Sequence, residues 1–279
     1  MNDQTDQFMP DYSVSGDGEA TVYLLHGLYG SKEYWKYVTM HLVSMRYRVV
    51  AWDAPGYGGS SPVCDFSLAK AADIFTNMLR KTATERNILF GQSMGSQIAV
   101  RVAQRAPTLV AGVIVCASIG YFGSRSREEK KDFVEARKIS NSLVDSSRQQ
   151  LVVVHSMMAP GANGPDVELV RRVGASTPGP TVQMALEAIR TAPDDEAVAA
   201  FKSIDVPSIF IAGALDKVGH PEGMEKVSKL VTGSRFVSVS NSAHYPWAEQ
   251  PEEFWAKLDP FLEEVSQGGY DPYRATSRQ

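Results

Sequence analysis

Cysteine is nearly absent from this 279-residue chain: Cys64 and Cys116 stand alone in separate segments, with no CxxC spacing. Neither a disulfide framework nor a thiolate zinc site is expected, and no metal or cofactor is called for. Long apolar runs are missing as well. Nothing approaches the roughly 20 residues needed to span a bilayer, and the polar, acidic start lacks the apolar core of a secretory leader. A soluble, cytoplasmic protein with no membrane partner is the expectation. There is also no excess of one charge: 28 Lys and Arg against 32 Asp and Glu give a formal net charge of −4, with both signs mixed throughout. No basic stripe is available for nucleic acid, so the expected partner is a small molecule recognised locally. Internal repeats are absent, and oligomeric state is not legible.

What is present is a chain that is 43% hydrophobic, enough for one large domain or for a domain carrying an insertion. Its organising stretch is Asn87-Ile88-Leu89-Phe90-Gly91-Gln92-Ser93-Met94-Gly95. An apolar strand pattern ends in Gly-x-Ser-x-Gly, and a small-residue helical pattern follows at once. This is a nucleophile elbow, in which a tight strand-to-helix turn holds the serine in a strained backbone conformation and projects its hydroxyl.

Around it the elements alternate. An edge strand is expected near residues 11–15, then strands at 21–25, 47–53 and 87–90 separated by helices that begin after Ser31 and Ser67. A further strand covers 109–117. After a break, strands return at 208–213 and 235–239, with helices near 222–230 and 252–265. Such alternation implies a mostly parallel α/β sheet with helices on both faces. Residues 118–203 break the rhythm with charged helical stretches, a methionine pair and Gly/Pro-rich connectors. They read as a helical insertion, within which 151–154 is ambiguous between strand and helix.

A serine hydroxyl needs a base, and the base needs an orienting carboxylate. His244 follows a strand end directly and is the candidate base. His41 lies on a helix, His155 in the insertion, and His220 beside Pro221 at a helix start. Asp216, a few residues beyond a buried strand, is the candidate carboxylate, whereas Asp205 precedes that strand and falls at the opposite sheet edge. The order Ser93, Asp216, His244 is the one expected of this elbow. Backbone N–H groups of Met94 and Leu28 are the candidate oxyanion hole.

These motifs, with His26-Gly27, Asp53-x-Pro55-Gly56-x-Gly58-x-Ser60, Gly213-x-x-Asp216 and the run from His244 to Phe254, resemble the α/β-hydrolase fold family in its serine-nucleophile branch. The resemblance implies a mostly parallel sheet of seven to eight strands, with a core of 1–117 and 204–279 and a helical cap, 118–203, inserted after the sixth strand. The chain before residue 21 is short, which puts the family's first strand in doubt, and Ser96 stands where many relatives have glycine. The implied activity is hydrolysis of a carboxylic ester or lactone of a small apolar, aromatic-tolerant substrate through an acyl-enzyme. Hydrolysis of a carbon–carbon bond in an aromatic ring-cleavage product, cofactor-free dioxygenation and ligand reception on the same fold are the alternatives. Tyr29, Tyr121, Phe122, Met157, Met158, Tyr245 and Trp247 are the expected substrate-pocket residues.

Overall fold

The computed structural model of the chain describes residues 8–120, 126–137 and 143–269. In chain order its elements are β1 (Tyr12–Ser15), β2 (Ala20–Leu25), α1 (Lys36–Ser44), β3 (Arg48–Trp52), α2 (Leu68–Thr82), β4 (Arg86–Gln92), α3 (Met94–Arg105) and β5 (Gly112–Cys116). Among the described residues, the helices that follow are α4 (Arg127–Glu135), α5 (Leu143–Ser156), α6 (Pro165–Ser176), α7 (Gly179–Thr191) and α8 (Asp194–Lys202). The chain then resumes with β6 (Ser208–Gly213), α9 (Pro221–Ser228), β7 (Arg235–Val239), α10 (Pro246–Glu249) and α11 (Pro251–Gln267).

Among the described residues seven strands form one sheet, in the order β1-β3-β2-β4-β5-β6-β7. Only β1 runs antiparallel, pairing Tyr12 with Trp52 through Ser15 with Val49. Strands β2, β5 and β6 are buried along their whole length and β4 along all but its first residue, as expected of parallel strands covered on both faces. Their carboxyl ends deliver the loops at 26–31, 93, 117–120 and 214–220 to one rim of the sheet. That rim is where ligands bind in open parallel sheets.

The sheet begins at Tyr12 among the described residues, so the five-helix insertion follows the fifth strand in this count. Residues 151–154 resolve as helix within α5. The insertion is fastened to the sheet layer at particular points. Arg101 on α3, with a fully buried side chain, donates from Nε to Glu196 Oε1 on α8 at 2.7 Å. Thr181 Oγ1 on α7 donates to the Gly56 carbonyl at 2.8 Å.

Candidate active site

Strand β4 ends at Gln92, and helix α3 begins at Met94, so the whole reversal falls on Ser93, at φ 51° and ψ −114°. With positive φ in a non-glycine residue and ψ far from the left-handed basin, this conformation is strained. The turn is packed too tightly for side chains on either flank. A Cβ at Gly91 would stand 2.5 Å from the Gly95 carbonyl, and one at Gly95 would stand 2.0 Å from the Leu25 carbonyl. The Ser93 amide donates to the Cys116 carbonyl at 2.9 Å, and Ser96 Oγ bonds back to the Ser93 carbonyl.

Asp216 lies just past β6, and its side chain is wholly buried. Its Oδ1 accepts from the amides of Val218 (2.7 Å) and Gly219 (3.0 Å), which leaves Oδ2 to meet His244 Nδ1 at 2.9 Å. The bond fixes the ring with Nδ1 toward the carboxylate and Nε2 away from it. His244 itself is held from three sides. Its amide donates to the Met157 carbonyl in the insertion (3.0 Å), and its carbonyl accepts from Gln92 Nε2 (3.2 Å). The amides flanking it, Ala243 and Tyr245, donate to the buried carboxylate of Glu249 at 3.0 and 2.9 Å. Glu249 also accepts from the Ala159 amide at 2.7 Å, and burial raises its pKa against the effect of these bonds.

The loop after β2 is braced just as closely. His26 Nε2 accepts from the Ala54 amide at 3.0 Å, so Nδ1 carries the proton toward the Gly27 carbonyl, 2.8 Å away. Complete burial lowers the pKa of His26, keeping the ring neutral. The Gly27 amide donates to Tyr34 Oη (2.8 Å), which donates to Gln92 Oε1 (3.2 Å). The buried carboxylate of Asp53 accepts from the amides of Lys32 and Gly59 and pairs with Lys32 Nζ.

Leu28, Ser93, Met94 and His244 line one chamber of about 20 Å³, room for about one water. Tyr29 and Tyr245 line it as well. Beside it opens a cleft of about 1410 Å³ between the insertion and the loops after β6. Ile119, Met157 and Val218 contribute to the walls of both spaces.

The structure sorts the other sequence-predicted residues differently. Met158 faces the larger cleft. Trp247 lines neither space: α10 turns it inward against Trp35, at 4.8 Å between ring centroids, and it packs edge-on to Tyr34 and Tyr245. It is core behind the loop, because the helix that carries it must bury its apolar face. Tyr121 and Phe122 lie outside the described residues. Of the remaining histidines, His41 stacks on Trp255 and bonds Asp259, while His155 and His220 border the cleft. Missed in the sequence were Tyr34, Gln92 and Glu249, and also Arg137, a buried guanidinium in the chamber wall. Position 92, inside the elbow motif, was the available signal for Gln92.

This fold and site define an alpha/beta hydrolase, and the chain belongs to that family: the profile described as alpha/beta hydrolase fold matches residues 20–251. Among curated proteins it is similar to the pimeloyl-[acyl-carrier protein] methyl ester esterase of Sodalis glossinidius. The two are 25% identical over 264 residues, covering 90% of this chain and 96% of the relative. The protein of the same name from Neisseria meningitidis serogroup B is 27% identical, covering 88% and 94%. A thermophilic esterase from Thermogutta terrifontis agrees in fold, with a TM-score of 0.76 at 23% identity, covering 91% of this chain and 93% of that one. No helix among the described residues is long and apolar enough to cross a membrane.

Proposed function

We propose that the protein is a serine hydrolase of carboxylic esters, with Ser93 as nucleophile, His244 as base and Asp216 as the carboxylate that orients it. One observation carries the reading. The strained Ser93 shares a chamber with the imidazole whose Nδ1 is bonded to buried Asp216.

In this reading Ser93 Oγ attacks the ester carbonyl while His244 Nε2 takes its proton, and Asp216 stabilises the imidazolium that results. The oxyanion falls to the amides of Leu28 and Met94. Met94 opens α3, where an N–H has no partner within the helix. The imidazolium then returns its proton to the departing alcohol, and a water, activated by the same ring, releases the acyl group as an acid. The helices of residues 118–203 act as the cap over this site, and its apolar walls receive the acyl body. The curated relatives named as methyl ester esterases support ester over the carbon–carbon, dioxygenase and receptor readings.

The test is turnover of a panel of short methyl and 4-nitrophenyl esters by the wild type and by Ser93→Ala. Hydrolysis lost in the variant, with an unchanged melting temperature, is expected. Retained hydrolysis would refute the assignment.

A further inference from the structure

The Ser93 chamber has room for about one water, which is space for a carbonyl oxygen under attack and little else. The rest of any ester must leave it, and the cleft of about 1410 Å³ lies behind one wall. Among the described residues that wall is made by Ile119, Met157 and Val218, which line both spaces. Each comes from a different segment, and each is fastened close to the proposed triad. The Val218 amide donates to Asp216 Oδ1 at 2.7 Å, and the Met157 carbonyl accepts from the His244 amide at 3.0 Å. Ile119 sits between Ser118 and Gly120, and Gln97 Nε2 donates to the Ser118 hydroxyl (3.1 Å) and to the Gly120 carbonyl. Gln97 follows Ser93 by about one turn of α3.

The three side chains differ in freedom. Ile119 and Val218 are β-branched and stiff at χ1, whereas Met157 is unbranched and adaptable. The Met157 sulfur lies 3.4 Å from Arg137 Nη2, and a thioether is a weak acceptor, so this contact restrains the side chain without locking it. Beyond the wall the cleft has an apolar floor, where Met158, Met224 and Val227 are buried. Its exposed rim carries both signs of charge, in Lys217, Glu222 and Lys226.

We propose that Met157 is the moving leaf of a gate, framed by Ile119 and Val218, through which a long unbranched alkyl chain of the ester runs from Ser93 onto the cleft floor. The substrates are then esters of fatty acids or of fatty alcohols, and the Met157 side chain governs their entry. This rests on the ester-hydrolase reading above and adds the class of ester.

The test measures kcat/KM for methyl octanoate against methyl butanoate, and for octyl acetate against butyl acetate. Within each pair the esters differ only in chain length on one side of the ester bond. The wild type is expected to favour the longer member of one pair by about tenfold or more, since each methylene taken from water is worth up to about fourfold. The pair that responds shows which side of the ester enters the gate. Met157→Trp, which fills the gap, should collapse that ratio, and Met157→Leu, close in volume, should keep it. Equal values within both pairs, or a ratio that survives Met157→Trp, overturn the gate and leave the hydrolase reading standing. Failure to cleave any of the four esters overturns both. Should Met157→Trp not fold, a crystal structure of the wild type treated with a decylphosphonofluoridate decides. An alkyl chain lying between Ile119, Met157 and Val218 supports the gate; a chain lying elsewhere, or an unreacted Ser93, overturns it.

Discussion

Gln92 hands one hydrogen bond to the backbone carbonyl of His244 and takes another from Tyr34, whose hydroxyl in turn accepts from the Gly27 amide. The residue before the proposed nucleophile thus joins the proposed base to the loop that carries the proposed oxyanion donor, Leu28. Gln92, His244 and the Gly27–Tyr34 connection after β2 lie far apart in sequence. Gln92→Ala should therefore lower kcat by about ten- to a hundredfold with little change in KM, as expected when reacting groups lose alignment. Equal loss in both parameters would indicate a binding role.

A methyl at position 27 tests the same link from its other end. A Cβ there would stand 2.1 Å from Gln92 Oε1 and 3.2 Å from Ser93 Cβ. Gly27→Ala should displace the Gln92 amide and reproduce much of the kinetic loss. Because the two changes break one chain of bonds, the double variant should be markedly less impaired than the product of the single effects. Multiplicative effects would show that the residues act separately.

Glu249 carries a heavier structural role than its position suggests. One carboxylate receives the amides of Ala159, Ala243 and Tyr245, so the insertion and the His244 loop meet on it. Glutamine offers one acceptor oxygen and turns a donor toward donors. Glu249→Gln should cost about 2 to 3 kcal/mol of stability in denaturant unfolding, with a fall in kcat.

A similar tether joins α3 to α8. The Arg101 guanidinium is buried, and its Nη2 has no partner among the described residues, while Glu196, which neutralises it, is 36% exposed. Glu196→Gln leaves that charge uncompensated. Since the glutamate side is open to solvent, the expected loss is about 1 to 3 kcal/mol, below that of a fully buried pair.

Asp166 on α6 supplies a pH dependence. Burial, with no partner for Oδ1 among the described residues, raises its pKa to about 6 from 3.8. The folded chain therefore holds a proton there that the unfolded chain releases. This contribution to stability is present below pH 3.8 and is lost as pH rises through about 6. Asp166→Asn should raise the melting temperature at pH 8 and give progressively less benefit toward pH 4. A gain that is constant across that range would contradict the assignment.

Much of this was legible in the sequence because it is local. The elbow, the buried strands and the order of Ser93, Asp216 and His244 follow from apolar runs and the turns that end them. The sheet's seven strands fall where such runs occur. What escaped is what depends on distance in space. Tyr34, Gln92 and Glu249 acquire their partners only when β2, β4 and the loop after β7 come together. Arg137 sits in a charged helical stretch, yet the fold turns it onto Phe133 and into the chamber. Trp247, next but two to His244, was read as facing substrate and instead fills the space behind Trp35.

The backbone of Ser93 has a consequence for how such a chain persists. Glycine at 93 would accept φ 51° without a Cβ penalty, so Ser93→Gly should melt higher than the wild type, whereas Ser93→Ala keeps the tension. Heat resistance selected without regard to turnover would favour an inert protein at this single codon. Directed evolution for thermostability must therefore screen for activity alongside it.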